Sequence, residues 1–327
     1  MPPKLTCLYI LFVRKSKYNS GMKKFFYRVQ EEDTLSSIAQ KFNAPIGRLI
    51  FNNNLIKEVS AGDIILIEQV KNVYLVKPLD RLEDLAKKFP SVKFIVPLEK
   101  TTDGEMINLA MAEVESDYVL VLRNTLNITP GFIHENLAER LLKDDVFCIV
   151  PRLTDSNKNS IMVQFSPSVS KNHFVVEESF VVNDGMKTLF PTDNVALYNR
   201  KKFIQLGGFD YGIKSNYWQN LDLGLRSWLW GEETKLTTLL QFSYIEEPIF
   251  DKTINLDYLR FFLKNGIHKI KNDEPYISNF AFPKFFLNSS CGYLEAKRQF
   301  KATKNWIKQN KYKIKMDLES LIVNWKK

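Results

Sequence analysis

The spacing of hydrophobic positions changes along this chain, and the changes predict four consecutive parts. Residues 25–68 alternate strand-like and helix-like patterns within a short span. Residues 72–290 alternate short apolar runs, such as VYLVKP and DYVLVL, with amphipathic segments, such as RLEDLAKKF, which predicts a parallel sheet covered by helices. Residues 291–327 are predicted to form a basic helical tail, and residues 1–24 an extension or an unfolded leader.

The first patterned region predicts a strand, two helices and a second strand. Apolar residues recur at helical spacing within residues 35–42, and Asp33 or Thr34 is placed to cap that helix. A second helix is expected to open near Pro45 and to end at the asparagine run 52–54, before the strand IILIE. The segments YRVQEEDTLSSIAQKF, LIFNNNLI and AGDIILIE resemble a LysM domain.

The LysM resemblance implies binding of glycans that contain N-acetylglucosamine, such as bacterial peptidoglycan. The groove would lie between two loops, residues 31–34 and 53–56, where short polar groups can bond acetamido and hydroxyl groups. The glycan-binding residues predicted in this way are Asp33, Thr34, Asn53, Asn54, Leu55 and Ile56. The alternative interpretation is that the polar residues only cap the first helix and terminate the second.

The larger region carries a longer motif. It contains Asn194, then GGFD at 207–210, then LDLGLR at 221–226, followed by Gly231. These residues resemble the acceptor half of a family 2 glycosyltransferase of the GT-A fold, including its galactosyltransferase-like relatives. The resemblance covers roughly residues 72–250 and implies a mixed α/β domain of the nucleotide-diphospho-sugar transferase type.

The end of the run DYVLVL is where the residues depart from that family. Its members place an Asp-x-Asp there, because two carboxylates can hold the divalent ion that neutralises the diphosphate. This chain has Arg123-Asn124-Thr125 instead, so we predict no metal site and no cofactor, and regard dependence on a divalent metal as doubtful. Arg123 either bonds a phosphate directly or pairs with an acid such as Asp193. The nucleotide-sugar-binding residues implied by the resemblance are Gly104, Asn108, Arg123, Asn124, Thr125, Asp193 and Asn194.

A second departure concerns the general base. Inverting family members deprotonate the acceptor hydroxyl with an acid from a Glu-Asp pair, which aligns with Gln219-Asn220 here. Loss of a general base typically costs about 100- to 10,000-fold in rate. The catalytic candidates are Asp222 and Asn220, with the alternative that Asp222 interacts with the dipole in the first turn of a helix. The nearby tryptophans either line an acceptor groove or pack in the core: Trp218, Trp228 and Trp230.

Composition narrows the classes of function. Three cysteines and three histidines, none at metal-ligand spacing, argue against a disulfide framework and a zinc site and favour a cytoplasmic location. The net charge of +9 is concentrated in residues 296–327, which hold ten Lys or Arg and two acids. This segment would either lie peripherally on the inner, anionic face of a membrane or form a solvated helix that packs on the body. A membrane span is not expected, and nucleic acid is not predicted as a partner.

Three functions follow from these patterns. The first is a glycosyltransferase that transfers a sugar from a nucleotide sugar to a glycan acceptor, independently of metal or at an impaired rate. The second is a catalytically inactive pseudo-glycosyltransferase of the cell envelope that binds a glycan or a partner protein, because a fold can be retained for binding after its chemistry is lost. The third is a purely structural envelope protein that binds peptidoglycan without affinity for nucleotides.

Overall fold

The computed structural model describes residues 8–13, 23–42, 49, 53, 59–69, 72–75, 92–95, 101–128, 135–170, 173–278, 280–288 and 292–325. Its strands are β1 Leu8–Val13, β2 Lys23–Arg28, β3 Ile64–Gln69, β4 Asn72–Leu75, β5 Val92–Ile95, β6 Tyr118–Arg123, β7 Leu126–Asn127, β8 Cys148–Thr154, β9 Gln164–Ser170, β10 His173–Ser179, β11 Ala196–Asn199, β12 Thr234–Tyr244, β13 Lys269–Lys271 and β14 Glu274–Tyr276. Its helices are α1 Leu35–Phe42, α2 Asp103–Glu113, α3 Glu135–Leu141, α4 Arg200–Leu206, α5 Asn216–Leu229, α6 Leu256–Asn265, α7 Ala281–Asn288, α8 Tyr293–Gln309 and α9 Leu318–Trp325, with a 3-10 turn at Thr192–Asn194.

A sheet with the strand order β5-β4-β1-β6-β11-β8-β12-β7 forms the centre of the larger region. Strands β4, β5, β6, β8 and β12 run in one direction, and β1, β7 and β11 run in the other. The mixed α/β class is therefore confirmed. The expectation of a parallel sheet was wrong, because β1 and β11 each lie antiparallel between two strands that share a direction.

Strand β1 comes from the segment that the sequence analysis assigns to a leader. It pairs with β6 along its whole length, from Leu8 opposite Arg123 to Val13 opposite Tyr118. The sequence LYILFV is a continuous apolar run, which is typical of a strand in the interior of a sheet. Residues 8–13 thus belong to the sheet, while residues 1–7 and 14–22 lie outside the described part of the chain.

Helix α2 begins beside the end of β6, where Asp103 contacts Arg123. The Thr102 hydroxyl accepts the Glu105 N–H at 3.1 Å, and the Glu105 carboxylate accepts the Thr102 N–H at 2.7 Å. This capping box fixes the start of α2. All six residues of β6 are buried, and the strand delivers Arg123 to its carboxyl end. The first turn of α2 and the end of β6 therefore meet.

The N-terminal module has its own small core. Strand β2 pairs antiparallel with β3, and helix α1 contributes Ile38 and Ala39 to a cluster with Val29 and Ile65. Each fully buried aliphatic side chain of this kind contributes about 1.5–3 kcal/mol. The predicted strands and first helix are present. The predicted second helix, from Pro45 to residues 52–54, lies outside the described residues except at positions 49 and 53.

The C-terminal segment packs on the larger region. Helix α8 buries Phe300 and Ile307 in the main core, and α9 buries Leu321. The ring of Trp325 lies 4.6 Å from that of Trp228. The residues predicted as a separate tail therefore complete the core of the larger region, as in the alternative in which they pack against the body. In the parts of the chain that the structure describes, every helix is too short or too polar to cross a membrane.

Candidate functional site

The carboxyl end of β6 is occupied by a buried ion cluster. The Arg123 Nη2 atom lies 2.7 Å from Asp103 Oδ2, in the first turn of α2. Its Nε atom lies 3.0 Å from Asp193 Oδ2, in the turn before β11. The pairing of Arg123 with Asp193, given above as one of two alternatives, is therefore present. We call Arg123, Asp103 and Asp193 the strand-end cluster.

Neighbouring groups hold the two carboxylates in place. Asn216, the first residue of α5, donates its side-chain amide to Asp103 Oδ2 at 2.8 Å, and the Tyr244 hydroxyl donates to Asp193 Oδ2 at 3.4 Å. Asp193 and Asn194 have left-handed backbone angles, with φ of 52° and 60°. Asp and Asn adopt this region more readily than most other residue types. The strained turn aims the Asp193 carboxylate at the guanidinium.

The charge balance of the strand-end cluster is negative, because one cation serves two carboxylates. Burial by itself lowers the pKa of Arg123, but the carboxylates of Asp193 and Asp103 outweigh it and raise that pKa. Burial raises the pKa of Asp193 to about 6; the Arg123 cation opposes this rise and the Asp103 charge adds to it. Arg123 thus stays charged, and Asp193 can gain a proton in mildly acidic solution.

These residues do not fit a divalent ion. Mg²⁺ and Mn²⁺ bind best to several oxygen donors that converge on one open position. Here the two carboxylates converge on a guanidinium, which repels a second cation. Within the described residues, no three His, Cys, Asp or Glu side chains are grouped so that they would hold a metal. Arg123 Nη1 is buried and has no partner among these residues, so a phosphate would reach it only after the cluster rearranges.

Gly104 and Asn108, predicted to contact a nucleotide sugar, pack against the GGFD turn. Asn108 Nδ2 donates to the Phe209 carbonyl at 2.9 Å, and Asn108 Oδ1 accepts the Phe209 N–H at 2.9 Å. A Cβ atom at Gly104 would lie 2.6 Å from Gln219 Cδ and 2.7 Å from Phe209 Cγ. Helix α2 is therefore in close contact with the turn at 207–210 and, at Gly104, with Gln219 of α5.

Asn124, Thr125 and Asn194 complete the predicted nucleotide-sugar set. Asn124 and Thr125 form the turn between β6 and β7, where the Thr125 carbonyl accepts the Ile245 N–H at 2.7 Å. Asn194 is buried, and its Oδ1 atom has no partner within the described ranges. The structure brings Arg123, Asp193 and Asn194 to one end of the sheet and leaves Gly104 and Asn108 inside a packed helix contact.

The side-chain amides of Gln219 and Asn220, at the predicted position of the general base, donate hydrogen bonds to backbone carbonyls. Gln219 Nε2 donates to the Asp210 carbonyl at 3.0 Å, and Asn220 Nδ2 donates to the Pro191 carbonyl at 2.6 Å. Gln219 Oε1 also accepts the Thr102 hydroxyl at 3.0 Å. A carboxylate at either position would face a carbonyl oxygen without a proton between them. The local hydrogen bonding therefore favours an amide over a carboxylate at both positions.

Asp222 is fully buried and ion-paired. Its Oδ2 atom lies 2.5 Å from Arg226 and 3.3 Å from Lys264, and its Oδ1 atom accepts the Asn265 amide at 2.7 Å. Burial by itself raises the pKa of Asp222, but the cations of Arg226 and Lys264 outweigh it and lower that pKa. Helix α5 begins at Asn216, so Asp222 lies in its middle and the interpretation through the first-turn dipole was wrong.

A second ion cluster surrounds Asp222. Asp210 of the GGFD turn lies 3.0 Å from Lys264 and 2.9 Å from Arg260, both on α6. Burial tends to raise the pKa of Asp210, and the two cations lower it well below its usual range. Arg226 also donates to the carbonyls of Leu206 and Gly208. We call Asp210, Asp222, Arg226, Arg260 and Lys264 the helix cluster; it joins α5, α6 and the turn at 207–210.

An aromatic groove lies next to these clusters, along the first turns of α5. It encloses about 410 Å³, and a neighbouring cavity of about 170 Å³ shares Glu178 and Lys252 with it. Lys252 Nζ lies 2.5 Å from Glu178 Oε1 and 5.6 Å from the centre of the Tyr217 ring. The side chains around the groove are Phe174, Val175, Val176, Glu178, Tyr217, Trp218, Leu221, Lys252 and Tyr258.

The three tryptophans separate into two environments. Trp218 lines the groove, donates its Nε1–H to the Thr253 carbonyl at 2.9 Å and lies 4.9 Å from the Tyr258 ring. Trp228 and Trp230 pack on the C-terminal helices, at 4.6 Å from the Trp325 ring and 6.0 Å from the Trp306 ring. All three tryptophans belong to the main core, as in the core-packing interpretation, and Trp218 also lines the groove; an acceptor role for the groove stays a prediction.

In the N-terminal module, the described glycan-binding candidates make local contacts. Asp33 Oδ2 accepts the Tyr27 hydroxyl at 2.6 Å and the Gln30 N–H at 2.8 Å. The Thr34 hydroxyl accepts the Ser37 N–H at 3.1 Å and caps α1. Asn53 donates to the Leu49 carbonyl at 2.8 Å. Asn54, Leu55 and Ile56 lie outside the described residues, so glycan binding at these loops stays a prediction.

Comparison with known families gives an assignment for the N-terminal module. Residues 27–67 match the LysM domain. The resemblance of this module to LysM is confirmed, over nearly the same boundaries as predicted from its strand and helix pattern. From here on we call it the LysM module. No curated protein matches the chain.

Two solved structures, both of GT-A glycosyltransferases, are similar to the chain at 10% sequence identity. One is GalNAc-T7 with UDP, GalNAc and Mn²⁺; the match covers 70% of this chain and 47% of that chain, with a TM-score of 0.45. The other is S. aureus TarS 1-349 in complex with UDP-GlcNAc; the match covers 77% of this chain and 69% of that chain, with a TM-score of 0.43. The chain spans about half the length of the first.

Several residues of the site have little signal in the sequence. Asp103 and Asn216 complete the strand-end cluster, and Arg260 and Lys264 complete the helix cluster. The run TTDGE carries a capping pattern that would have placed Asp103 at a helix start. Arg260 and Lys264 share a face of α6 at a spacing of four, but nothing in that spacing names Asp210 as their partner.

Proposed function

We propose that this protein is a glycan-binding protein that combines a LysM module with a glycosyltransferase-like domain whose sugar-transfer chemistry has been lost. This corresponds to the second of the three functions predicted above. The motifs GGFD and LDLGLR support the glycosyltransferase-like assignment. The observation that carries the loss of transfer is that Gln219 and Asn220 donate to backbone carbonyls where a general base is needed.

The other candidate base supports the same proposal. Asp222 is inaccessible and is neutralised by Arg226 and Lys264. A general base must reach the proton that it removes, directly or through one water. Its low pKa also makes it a weak proton acceptor. The residues that would attract a nucleotide diphosphate and its ion are likewise occupied with one another, since Arg123 is bound by Asp103 and Asp193.

The aromatic groove is the part of the larger domain best suited to a glycan. Sugar rings present apolar faces that stack on aromatic side chains, and their hydroxyls need a few fixed polar partners. Tyr258 and the largely buried rings of Tyr217 and Trp218 supply the aromatic wall, while Lys252 and Glu178, which are ion-paired, supply an exposed cation and a half-buried carboxylate at its rim. We assign the groove to a neutral oligosaccharide and the LysM module to a glycan that contains N-acetylglucosamine.

Calorimetric titration of the whole chain tests this function. Oligosaccharides of N-acetylglucosamine and other neutral oligosaccharides are titrated first, and a panel of nucleotide sugars is titrated with and without Mn²⁺. We expect binding of an oligosaccharide and no binding of nucleotide sugars. Tight nucleotide-sugar binding that Mn²⁺ strengthens would overturn the proposal, and so would sugar transfer by the wild-type protein.

Matched variants separate the groove from the LysM module. The double variant Lys252→Ala/Tyr258→Leu removes a rim cation and an aromatic ring from the groove and should weaken its oligosaccharide binding about tenfold. The control Lys271→Ala/Tyr276→Leu changes two exposed residues of the hairpin β13–β14. Equal affinity in both variants, with one binding event in total, would assign glycan binding to the LysM module alone and refute the groove.

A further inference from the structure

Helix α8 carries a stripe of lysines along one flank, about 90° around the helix from its buried face. Its inner face buries Ala296, Phe300 and Ile307. At about 100° per residue, the four lysines fall within roughly 60° of arc on a single side of the helix. They are Lys297, Lys301, Lys304 and Lys308.

Most of this charge is not neutralised locally. Lys297, Lys301 and Lys308 are exposed, and no acid among the described residues pairs with them. The nearby acid Glu295 is bound by Arg298 at 2.9 Å, outside the stripe. The stripe therefore presents a positive potential to solvent along roughly 16 Å of helix, given a rise of about 1.5 Å per residue.

Large apolar side chains lie exposed at the beginning of the same helix. Leu294 is 80% exposed and lies next to the lysines on the helical wheel. Phe280, just before α7, is 92% exposed. Phe280 is two residues from Phe282, whose ring lies 5.9 Å from that of Tyr293 at the start of α8. Tyr293 is itself half exposed. Leu294 thus lies beside the cations on α8, and Phe280 is exposed in the segment next to the start of that helix.

We propose that this surface, formed by the four lysines of α8 with Phe280 and Leu294, docks the protein on an anionic lipid bilayer. Lysines above a membrane are attracted by acidic headgroups, and exposed apolar side chains enter the boundary between headgroups and acyl chains. A purely polyanionic partner, such as a nucleic acid, would use the charges and leave Phe280 and Leu294 without a role. The bilayer accounts for both features.

Co-sedimentation of the whole protein with vesicles tests the proposal. Vesicles of phosphatidylcholine alone are compared with vesicles that also contain phosphatidylglycerol, at low and high salt. We expect binding that needs the anionic lipid and weakens with salt. Neutralising three lysines, Lys297→Gln, Lys301→Gln and Lys308→Gln, should weaken binding about 100-fold, at about fivefold for each cation. The control changes three exposed lysines elsewhere in the chain to Gln: Lys143, Lys201 and Lys271.

A second variant decides between a bilayer and another polyanion. Phe280→Ser/Leu294→Ser keeps every charge and should weaken vesicle binding while leaving binding to heparin unchanged. All of these side chains are exposed, so circular dichroism should show an unchanged fold. Vesicle binding by the lysine variant at wild-type strength would overturn the proposal. Equal loss in both triple-lysine variants, or no effect of the apolar pair, would also refute the surface assigned here.

Discussion

The two buried ion clusters of the larger domain contain the same kinds of side chain but differ in charge balance. The strand-end cluster holds one cation, Arg123, between Asp103 and Asp193. The helix cluster holds Asp210 and Asp222 among Arg226, Arg260 and Lys264. An acid with too few cations takes up a proton easily, whereas an acid among several cations stays ionised. The pKa of Asp193 is accordingly raised, and that of Asp222 is lowered.

The comparison also supports the proposed loss of sugar transfer, because each acid lacks a property that a general base needs. A general base needs a pKa near the working pH and access to its substrate. Asp193 has a suitable pKa of about 6, but its carboxylate is directed at Arg123. Asp222 has neither a suitable pKa nor access. Each acid instead forms an ion pair with a residue of another segment: Asp193 with Arg123 of β6, and Asp222 with Lys264 of α6.

The largest effect is expected for Arg123→Met. The variant removes the only cation that the described residues supply to the strand-end cluster and leaves Asp103 and Asp193 buried without compensation. Removing one partner of a buried ion pair typically costs about 3–5 kcal/mol. Urea denaturation should show a loss of this size at pH 7. The control Arg298→Met, on the surface of α8, should cost less than about 1 kcal/mol.

Arg123→Asp tests whether the arginine prevents the strand-end cluster from binding a divalent ion. This substitution would gather three carboxylates at the end of β6, a donor set suited to a divalent ion. We expect Mn²⁺ to raise the Tm of this variant and to leave the Tm of the wild-type protein unchanged. A wild-type Tm that rises with Mn²⁺ or falls with a chelator would show that the cluster holds an ion despite Arg123.

A smaller loss of stability is expected for Arg226→Met in the helix cluster. Lys264 remains 3.3 Å from Asp222, and Asn265 still donates to it, so the acid keeps part of its compensation. The variant loses the donors to the Leu206 and Gly208 carbonyls as well. We expect about 2–3 kcal/mol in the same denaturation assay. If Arg226→Met lowered the free energy of unfolding more than Arg123→Met does, charge balance would not predict which cluster is more sensitive to loss of its arginine.

Local pattern predicted the elements of this protein better than the partners of its charged residues. The run YVLVL gave β6, and the strand-helix pattern gave the LysM module, which the family comparison confirms. Burial of a continuous apolar run depends on few neighbours, so it leaves a clear trace in the sequence. The run LYILFV has the same character, and its strand β1 was missed because it stands in the segment assigned to a leader.

Partners brought together by the fold left much weaker signals. Asp222 and Lys264 are 42 residues apart, and Asn216 and Asp103 are 113 residues apart. Hydrophobic periodicity identifies the buried face of a helix or strand, but it does not identify the element that packs on that face. The start of α5 was also misplaced, at LDLGLR rather than at Asn216. That shift put Asp222 in a first turn and suggested a dipole interaction that the structure does not contain.

Restoring an acid at the base position is expected to weaken the fold without creating activity. Gln219→Glu would place a carboxylate oxygen against the Asp210 carbonyl, where the amide now donates at 3.0 Å. An unsatisfied buried contact of this kind costs about 1–3 kcal/mol. The control Gln241→Glu changes an exposed residue of β12 and should be nearly neutral. Sugar transfer gained by Gln219→Glu would contradict the proposed function.

The smallest effect, and the only gain, is expected for Asp193→Asn. The pKa of Asp193 is about 6 in the folded protein against an ordinary 3.8, so the folded chain binds a proton between these values that the unfolded chain does not. The contribution of Asp193 to stability should therefore fall as pH rises from about 4 to about 6 and then level off. Asparagine tolerates the left-handed backbone and removes the uncompensated charge, while the weakened bond to Arg123 offsets part of the benefit. We expect a gain of about 1 kcal/mol at pH 7 and a flatter pH profile in denaturation experiments.

The control is Asp103→Asn, which weakens the 2.7 Å contact with Arg123 and should lower stability. A pH profile that Asp193→Asn leaves unchanged would assign the titration to another acid.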